Sequence, residues 1–537
     1  MCYYKIPFFL MVFVVVFSGL LQAQEKQQRD WGRLSGSVES NWGFYMKDED
    51  LGIEEVDDKV ATNTYLTLGY AIKNFRFGLE YDIYKPPLVG FSPEWEGAKF
   101  MRGFAAWASS KLELRAGTVY EQFGNGLILR TYEDRALGIN NSLMGGSVRW
   151  HPWDWISLKV VAGVPQKFQH YASSQVYGVD GDMDLGALLM AESDWFLSLG
   201  GSWVLRNDDS DAHNPESPRS VKSYAGRINL SKGIFSIGGE YVEKSRSMFW
   251  DQNLALKTGR GRIVLMNLGI DAPGIGFSAE FRAFENADLR VDDNLDEDES
   301  VSLNYVPSLT LQHKYNLLSL FPHEVKTAGE TGGQFSLYGD LPFCRENPIA
   351  FAVNGSMYRS LTLDDEGEVV SLFKQKGKLL YGEIGLELQR KWGKSFKTNL
   401  LFYHQKKSEF SKYGFGKMNM DSEILVADLL YRINKKASLR MEVQHVWSDS
   451  KDDPRWVMGL LEFGFAPAWM LYVSDMCNYD SYGESLHYYR TGCSYSWRSL
   501  RASVDYGRNR AGMQCSGGVC RYIPEHTGFA VSLSVAI

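Results

Sequence analysis

Apolar and polar side chains alternate along stretches of about ten residues, and these stretches recur from position 31 to the last residue, Ile537. In Phe75–Tyr84 every odd position is apolar or aromatic, and every even position except Tyr84 is charged or glycine. Successive side chains of a strand point to opposite faces, so one face suits lipid and the other suits water. The pattern predicts an all-β fold, a single transmembrane antiparallel β-barrel of about 24 strands, within a range of roughly 14–26.

The connections between these stretches alternate in length, and this alternation predicts the topology. Short links stand at 72–74, 151–154, 231–233 and 391–394. The long links are acidic, at 48–58, 208–209, 292–299, 364–368 and 449–453. Single-chain barrels of outer membranes have short periplasmic turns and longer outward loops. We therefore expect the acidic links to face outward and both chain ends to lie on the periplasmic side.

Composition would suit a soluble protein, since the mean hydropathy is −0.26 and aromatic residues make up 14% of the chain. A soluble β-sandwich or propeller is the alternative fold. A barrel resolves the contradiction, because only its lipid face must be apolar. The segment 456–473 resembles a membrane helix in hydropathy, but Glu462 and Pro467 favour a hairpin, as proline inside a helix costs about 3 kcal/mol.

The amino terminus carries Lys5, an apolar run over 6–21 and then the small residue Ala23. This arrangement predicts a secretory signal peptide over residues 1–23, followed by one barrel domain over 24–537. A retained membrane anchor is the alternative, but the run is too short to favour it. A secreted barrel points to the outer membrane of a Gram-negative bacterium.

Charged side chains of both signs fall on the polar faces of the predicted strands. The candidate pore-lining residues are Arg76, Glu80, Asp82, Glu113, Arg115, Glu240, Glu280, Arg282, Glu383, Glu387, Arg440, Glu442, Arg501 and Asp505. Such groups need water or partners, since an unpaired charge away from solvent costs several kcal/mol. We expect a hydrated lumen; the alternative is an ion-pair network that braces a closed interior. Neither sign forms a ladder, so no ion selectivity is predicted.

The segment 124–143 mixes apolar residues with a candidate constriction, Arg130, Glu133, Asp134 and Arg135. A loop of this kind in a wide barrel can fold inward and narrow the pore. The alternative is two continuous strands joined by a turn at Glu133 and Asp134. Its Gly-Asn-Gly piece lacks the lysine of a phosphate-binding loop, so a nucleotide is not expected.

Two further features concern metal and thiol chemistry. Asp180, Asp182 and Asp184 alternate along the chain, and carboxylates of this kind suit calcium at an outer loop. A solvated acidic loop is the alternative, and no other cofactor is expected. Cys515 and Cys520 are separated by four residues in an oxidising compartment, so we predict a disulfide that closes a small outward loop.

Two stretches carry a family resemblance: YEQFGNGLILRTYEDR at 120–135 and CSGGVCR at 515–521. Together with the barrel organisation they resemble an uncharacterised family of outer-membrane β-barrels from Bacteroidota, a domain family of unknown function. The resemblance covers nearly the whole mature chain. It implies an outer-membrane barrel, alone or in a complex, and adds little about its task.

No catalytic motif stands out among the scattered histidines and serines, so an enzyme is not the leading expectation. The leading hypothesis is a porin-like channel for passive or selective passage of small polar solutes. The alternative is a non-conducting accessory barrel in an outer-membrane assembly, secretion or surface complex. Expected partners are the lipid bilayer, lipopolysaccharide and other envelope proteins; the net charge of −8 argues against nucleic acid.

Overall fold

A computed structural model describes most of the chain. It covers residues 31–54, 58–189, 194–209, 213–250, 256–293, 301–341, 347–364, 369–410, 417–448, 455–479, 485–516 and 519–537. The predicted signal peptide at 1–23 lies outside these residues, as do parts of the acidic links.

Twenty-four strands, β1 to β24, form the wall. In chain order they are Arg33–Met46, Val60–Ile72, Phe75–Tyr84, Gly97–Ala108, Leu112–Val119, Leu143–Trp150, Ile156–Lys167, Ser174–Asp184, Trp195–Asp208, Ser220–Lys232, Phe235–Trp250, Leu256–Ala272, Ile275–Glu285, Gly329–Asp340, Ile349–Ser360, Leu379–Trp392, Phe396–Phe410, Lys417–Arg432, Ala437–Ser448, Trp456–Phe465, Trp469–Asn478, Leu486–Trp497, Leu500–Asn509 and His526–Ala536.

Each strand pairs antiparallel with the next, and β1 also pairs with β24, so the sheet closes on itself. At this seam Trp42 faces Val531 and Phe44 faces Phe529. Closure removes the free sheet edges, whose unpaired backbone groups would each cost several kcal/mol in lipid. The predicted antiparallel barrel and its strand number are confirmed.

The smaller elements lie at the two ends of the wall. The turn end carries an α-helix, Leu185–Leu189, and the loop end carries 3₁₀ turns at Glu49–Leu51 and Pro93–Trp95. A third 3₁₀ turn, Leu317–Ser319, belongs to the long connection after β13. Further short strands are Gln122–Phe123, Leu129–Arg130, Glu133–Asp134, Ile139–Asn140, His170–Tyr171, Gly512–Ser516 and Val519–Ile523. In the part of the chain described here, no helix is long and apolar enough to cross a membrane.

The outer face of the wall is apolar along its height. Exposed aliphatic side chains such as Leu79 and Val443 lie near the strand centres. Exposed aromatic residues cluster where strands meet the short turns: Phe75, Trp150, Trp153, Trp195, Phe235, Trp392, Trp469 and Trp497. An apolar band bounded by an aromatic girdle is the surface that a membrane barrel presents to lipid. The segment 456–473 is a hairpin within this wall, as predicted.

A charge placed on the lipid face at mid-height should lower the stability of the barrel. Val443→Arg should destabilise the folded barrel by about 2–4 kcal/mol, because an arginine at the bilayer midplane is poorly solvated. Val370→Arg is the matched control, since Val370 is exposed in the outward connection between β15 and β16. Denaturant titration in lipid vesicles measures both. Equal stability of the two variants would contradict the assignment of the outer face.

Candidate functional site

The connection between β5 and β6, residues 120–142, folds into the lumen. Leu127, Ile128 and Leu129 are at most 1% exposed, and they pack with wall residues such as Val161 and Val242. The short strand pairs within this connection are separate from the wall sheet. Of the two conformations predicted for this segment, the structure shows the inward fold.

A second connection follows β13, and its described residues, 286–293 and 301–328, also fold inward. The acidic link predicted to face outward, 292–299, lies almost wholly outside the described residues. The two connections are joined by backbone hydrogen bonds: Arg130 N donates to Leu303 O at 2.8 Å, and Tyr305 N donates to Gly126 O at 2.9 Å. We call the described residues of 120–142 and 286–328 the plug.

The plug reaches across the lumen to the opposite wall. The hydroxyl of Tyr315 donates to Asp428 on β18 at 2.9 Å, and Leu317 N donates to Gln444 on β19 at 2.9 Å. Leu317 and its apolar neighbours are buried in a cluster with wall residues of β17 to β20. The plug is therefore anchored to the wall on both sides of the lumen.

The strand alternation places the candidate pore-lining residues on the lumen side, where many of them hold the plug or each other. Glu240 accepts from Asn125 N at 2.9 Å and from Asn125 Nδ2 at 2.7 Å. Glu383 accepts from His313 Nε2 of the plug at 2.8 Å. In the wall itself, Arg282 pairs with Glu330. The remaining wall contacts join Glu280 to Gln334, Glu387 to Tyr403, Arg440 to Asp428 and Glu442, and Asp505 to Tyr472.

The turn end of the lumen is open to water. Arg76 points inward there with 54% of its side chain exposed, and its partner Glu113 is 3.4 Å away. Arg501 is exposed at the same level of β23, and Arg115 stacks over Phe104. The plug therefore lies in the outer part of the lumen, and the charged side chains at the turn end line a water-accessible vestibule. That these residues line a route for solutes stays a prediction.

The four candidate constriction residues all belong to the plug, but each plays a different part. Arg135 donates to Glu39 of β1 at 2.7 Å and to Glu80 of β3 at 3.0 Å. Glu133 pairs with Arg102 of β4 and with Arg135. Asp134 accepts from Leu137 N at 3.0 Å, and the guanidinium of Arg130 lies over the rings of Tyr132 and Tyr305. This side of the plug is held mainly by charge.

The acidic residues of this region titrate in a partly buried setting. Burial raises the pKa of the Glu133 carboxyl, but hydrogen bonds and positive charge from Arg102 and Arg135 outweigh it, so the pKa lies below its ordinary value. Asp82 on β3 is 1% exposed, and its Oδ1 has no hydrogen-bond partner among the residues described. Charge compensation here depends on the two arginines.

The three aspartates proposed for calcium do not lie in an outer loop, so that placement is wrong. They occupy the last half of β8, towards the periplasmic turn, because the alternation 180–182–184 is the period of a strand. Arg227 pairs with Asp180 at 2.7 Å and donates from Nε to Asp182 at 2.8 Å. Asp184 instead accepts from Ala187 N at 3.0 Å. The guanidinium of Arg227 therefore already pairs with two of the three carboxylates.

Cys515 and Cys520 form a disulfide within the hairpin built from Gly512–Ser516 and Val519–Ile523. This hairpin belongs to the last outward connection. Cys477 and Cys493 are free thiols. Cys477 lies on the outer wall, 3.6 Å from His487, and so takes no part in the lumen.

A cavity of about 470 Å³ lies between the plug and one sector of the wall. Strands β22 to β24, β1 and β2 form its wall, and Arg135 and Ala136 form its plug side. The connection 85–96 and the disulfide hairpin complete its lining. The volume is in the range of small-molecule sites, about 300–1,000 Å³. This cavity could not be predicted from the sequence, because its lining comes from segments near both ends of the chain.

The apolar outer face, the closed wall and the plugged lumen define a transmembrane barrel of the outer-membrane type whose own connections fill its interior. The chain belongs to the family described as Family of unknown function (DUF6029), which it matches over residues 3–537. The uncharacterised family expected from the sequence is thus shown, while the affiliation with Bacteroidota stays a prediction. Among curated proteins, none matches this chain.

Several solved outer-membrane barrels are similar in fold. The siderophore receptor PirA from Pseudomonas aeruginosa is 9% identical, with 95% of this chain and 81% of that chain covered and a TM-score of 0.43. The outer membrane transporter YddB from Escherichia coli is 10% identical, with 94% and 81% covered and a TM-score of 0.40. The P pilus usher PapC translocation pore is 9% identical, with 94% and 99% covered and a TM-score of 0.39. At these values the likeness concerns the barrel fold alone.

The contact between Glu240 and Asn125 predicts a test of the plug anchor. Glu240→Ala should lower the free energy of opening of 120–142 by about 1–3 kcal/mol, because two donors lose their buried acceptor. Hydrogen exchange of the amides of 120–142 measures this loss. Glu243→Ala on the same strand is the control, since Glu243 is half exposed and its nearest ion-pair partner, Arg260, is 3.9 Å away. Similar exchange in both variants would exclude Glu240 as an anchor.

The lowered pKa of Glu133 predicts how the plug responds to acid. Since the folded pKa lies below the ordinary 4.5, the carboxylate stabilises the plug above that value, and this contribution is lost as pH falls through the lower, folded pKa. Hydrogen exchange of 120–142, corrected for intrinsic rates, should be constant from about pH 7 to 5 and accelerate below 4.5. Glu133→Gln should exchange faster at neutral pH with less acid dependence, whereas Glu94→Gln, at an exposed residue, should behave as wild type.

Proposed function

We propose that this protein is a gated channel of the outer membrane of a Gram-negative bacterium, and that it admits small polar solutes. The observation that carries the proposal is the cavity between the plug and the sector of β22 to β2. It lies above a hydrated vestibule, so a solute that leaves the cavity towards the periplasm meets water. The plug supplies the gate, because it covers the rest of the lumen.

The two sides of the plug differ in how firmly they are held. The side around Leu127 and Leu129 is dry, and burial of each such side chain contributes about 1.5–3 kcal/mol. The side that borders the cavity is held by Arg135, whose ion pair with Glu39 is partly exposed, at 25% and 38%. Exposed ion pairs contribute about 0–1 kcal/mol, and the pair with Glu39 is the most exposed of the three that Arg135 makes. Opening therefore begins at Arg135, with the apolar side as the fixed point.

A second candidate is a non-conducting accessory barrel in an assembly, secretion or surface complex. The observation that favours it is the dry packing between plug and wall, together with the fully buried pair of Arg282 and Glu330. In that role the acidic outward connections would bind envelope proteins, or lipopolysaccharide through divalent cations. The proposed bilayer environment is the same for both candidates.

Conductance in a planar bilayer separates the two functions. Arg135→Gln should raise the open probability several-fold, because Glu39 then loses its ion-pair partner, while Glu80 and Glu133 share only Arg102. Arg260→Gln is the matched control, since Arg260 is 75% exposed at the outer end of β12. Replacement of 125–141 by a short Gly/Ser link should give a steady, larger conductance.

If these recordings show no conductance, they argue against the channel. The decisive variant has both 125–141 and 303–325 shortened, so that neither half of the plug remains. No conductance in this variant, with the barrel still folded, would favour the accessory role. Stable co-purification of other envelope proteins with the wild-type barrel would then be expected.

A further inference from the structure

We propose that the cavity beside the plug binds a small organic anion that carries carboxylate groups. This inference deepens the proposed function by naming the solute class, and its biological meaning rests on that function. The binding groups are Arg521 and Arg490, which reach the cavity from the disulfide hairpin and from β22. Arg135 closes the site on the plug side.

Arg521 is the strongest indication of a ligand. Its Nε and Nη1 are buried with no hydrogen-bond partner in the described chain, and only Nη2 donates, to Gln514 at 3.2 Å. The guanidinium lies 3.9 Å from the centre of the Phe91 ring, which fixes its plane. Arg521 as a whole is half-buried, and a partly desolvated cation with unpaired donors is costly unless an anion lies near it. Arg521 lines the cavity, so an anion bound there would lie beside it.

The electrostatic surroundings of Arg521 also favour an anionic ligand. Burial lowers the pKa of the guanidinium to about 10, so it still carries its charge at neutral pH. Desolvation of this kind strengthens attraction to an incoming anion, since the local dielectric constant is low. A carboxylate accepts several charge-assisted hydrogen bonds from a guanidinium, and these are the stronger class of hydrogen bond.

The other charges of the cavity leave the positive sign in excess. Arg490 is exposed on the lumen side and makes no ion pair with any residue that the structure describes. The two carboxylates of the lining are already engaged, Glu39 by Arg135 at 2.7 Å and Asp505 by the hydroxyl of Tyr472. Among the side chains that line the cavity itself, three arginines therefore stand against two carboxylates.

The other residues that line the cavity indicate the size and polarity of the solute. Leu88, Phe91 and Ile523 offer apolar surface near Arg521, while Asn41 and Gln514 offer amide groups. The volume of about 470 Å³ suits a short acid with several polar groups rather than a polymer. A dicarboxylate is attracted by the arginines of the lining, whereas a diamine of the same length would be repelled by them.

Binding to the purified full mature barrel in detergent tests the inference. Isothermal titration with acetate, succinate and citrate at constant ionic strength should show binding by at least succinate or citrate, and none by putrescine. Arg521→Gln should weaken that binding at least about tenfold, because hydrogen bonds to a charged group are lost. If Arg521→Gln does not fold, Arg490→Gln still tests the site, since Arg490 is exposed. Arg260→Gln is the control and should bind as wild type.

Two results would overturn the inference: no binding of any of the three acids by the wild-type barrel, or unchanged affinity in both Arg521→Gln and Arg490→Gln. Conductance measurements distinguish failure of the anion site from failure of the proposed channel function. A barrel that conducts but neither binds the acids nor prefers anions in a salt gradient retains the channel and loses the anion site. A barrel that binds succinate through Arg521 and never conducts retains the site and loses the channel.

Discussion

The constraint on which this structure depends is the need to pair every backbone N–H and C=O inside a bilayer. The wall meets it by closing β1 against β24, so no strand edge faces lipid. A closed wall of 24 strands encloses a lumen far wider than side chains can fill, whereas a wall of about eight strands is filled by them. The interior must then hold either water or additional chain, and here two outward connections supply that chain.

The two connections fill the lumen as a small protein core would. Leu127 to Leu129 pack with inward valines of the wall, and the backbone groups beside them pair across the two segments. Buried polar groups find partners on wall strands, as Asn125 does with Glu240. The polar lumen face of the barrel, which in a hydrated pore would contact water, here supplies hydrogen-bond acceptors for the plug.

The plug is not symmetric, and its asymmetry creates the site. Apolar contact dominates towards β7 to β13, while ion pairs of Arg135 hold the side towards β1 and β3. Apolar packing excludes water, but ion pairs at partial exposure tolerate it, so the space beside Arg135 stays open. The disulfide hairpin and the connection 85–96 enclose that space with Arg521 and Phe91.

The alternation of apolar and polar residues predicts much of this architecture. The period of two along each stretch determined the strands, their lipid and lumen faces and the short turns, because each depends on residues adjacent in the chain. Pro467 and Glu462 were enough to distinguish a hairpin from a membrane helix. Asp180, Asp182 and Asp184 lie in a strand and not in the predicted loop, because alternate acidic residues are as typical of a lumen face as of a loop.

The sequence alone thus predicts a membrane barrel with a polar interior and acidic outward connections. The folded chain shows in addition that the interior is filled, that the described residues of 286–328 share in filling it, and that Arg135, Arg490 and Arg521 line one cavity. The reason is physical: a side chain's orientation in a strand is set by its immediate neighbours, whereas occupation of the lumen is set by contacts between segments more than a hundred residues apart, such as Asn125 with Glu240 and Tyr315 with Asp428.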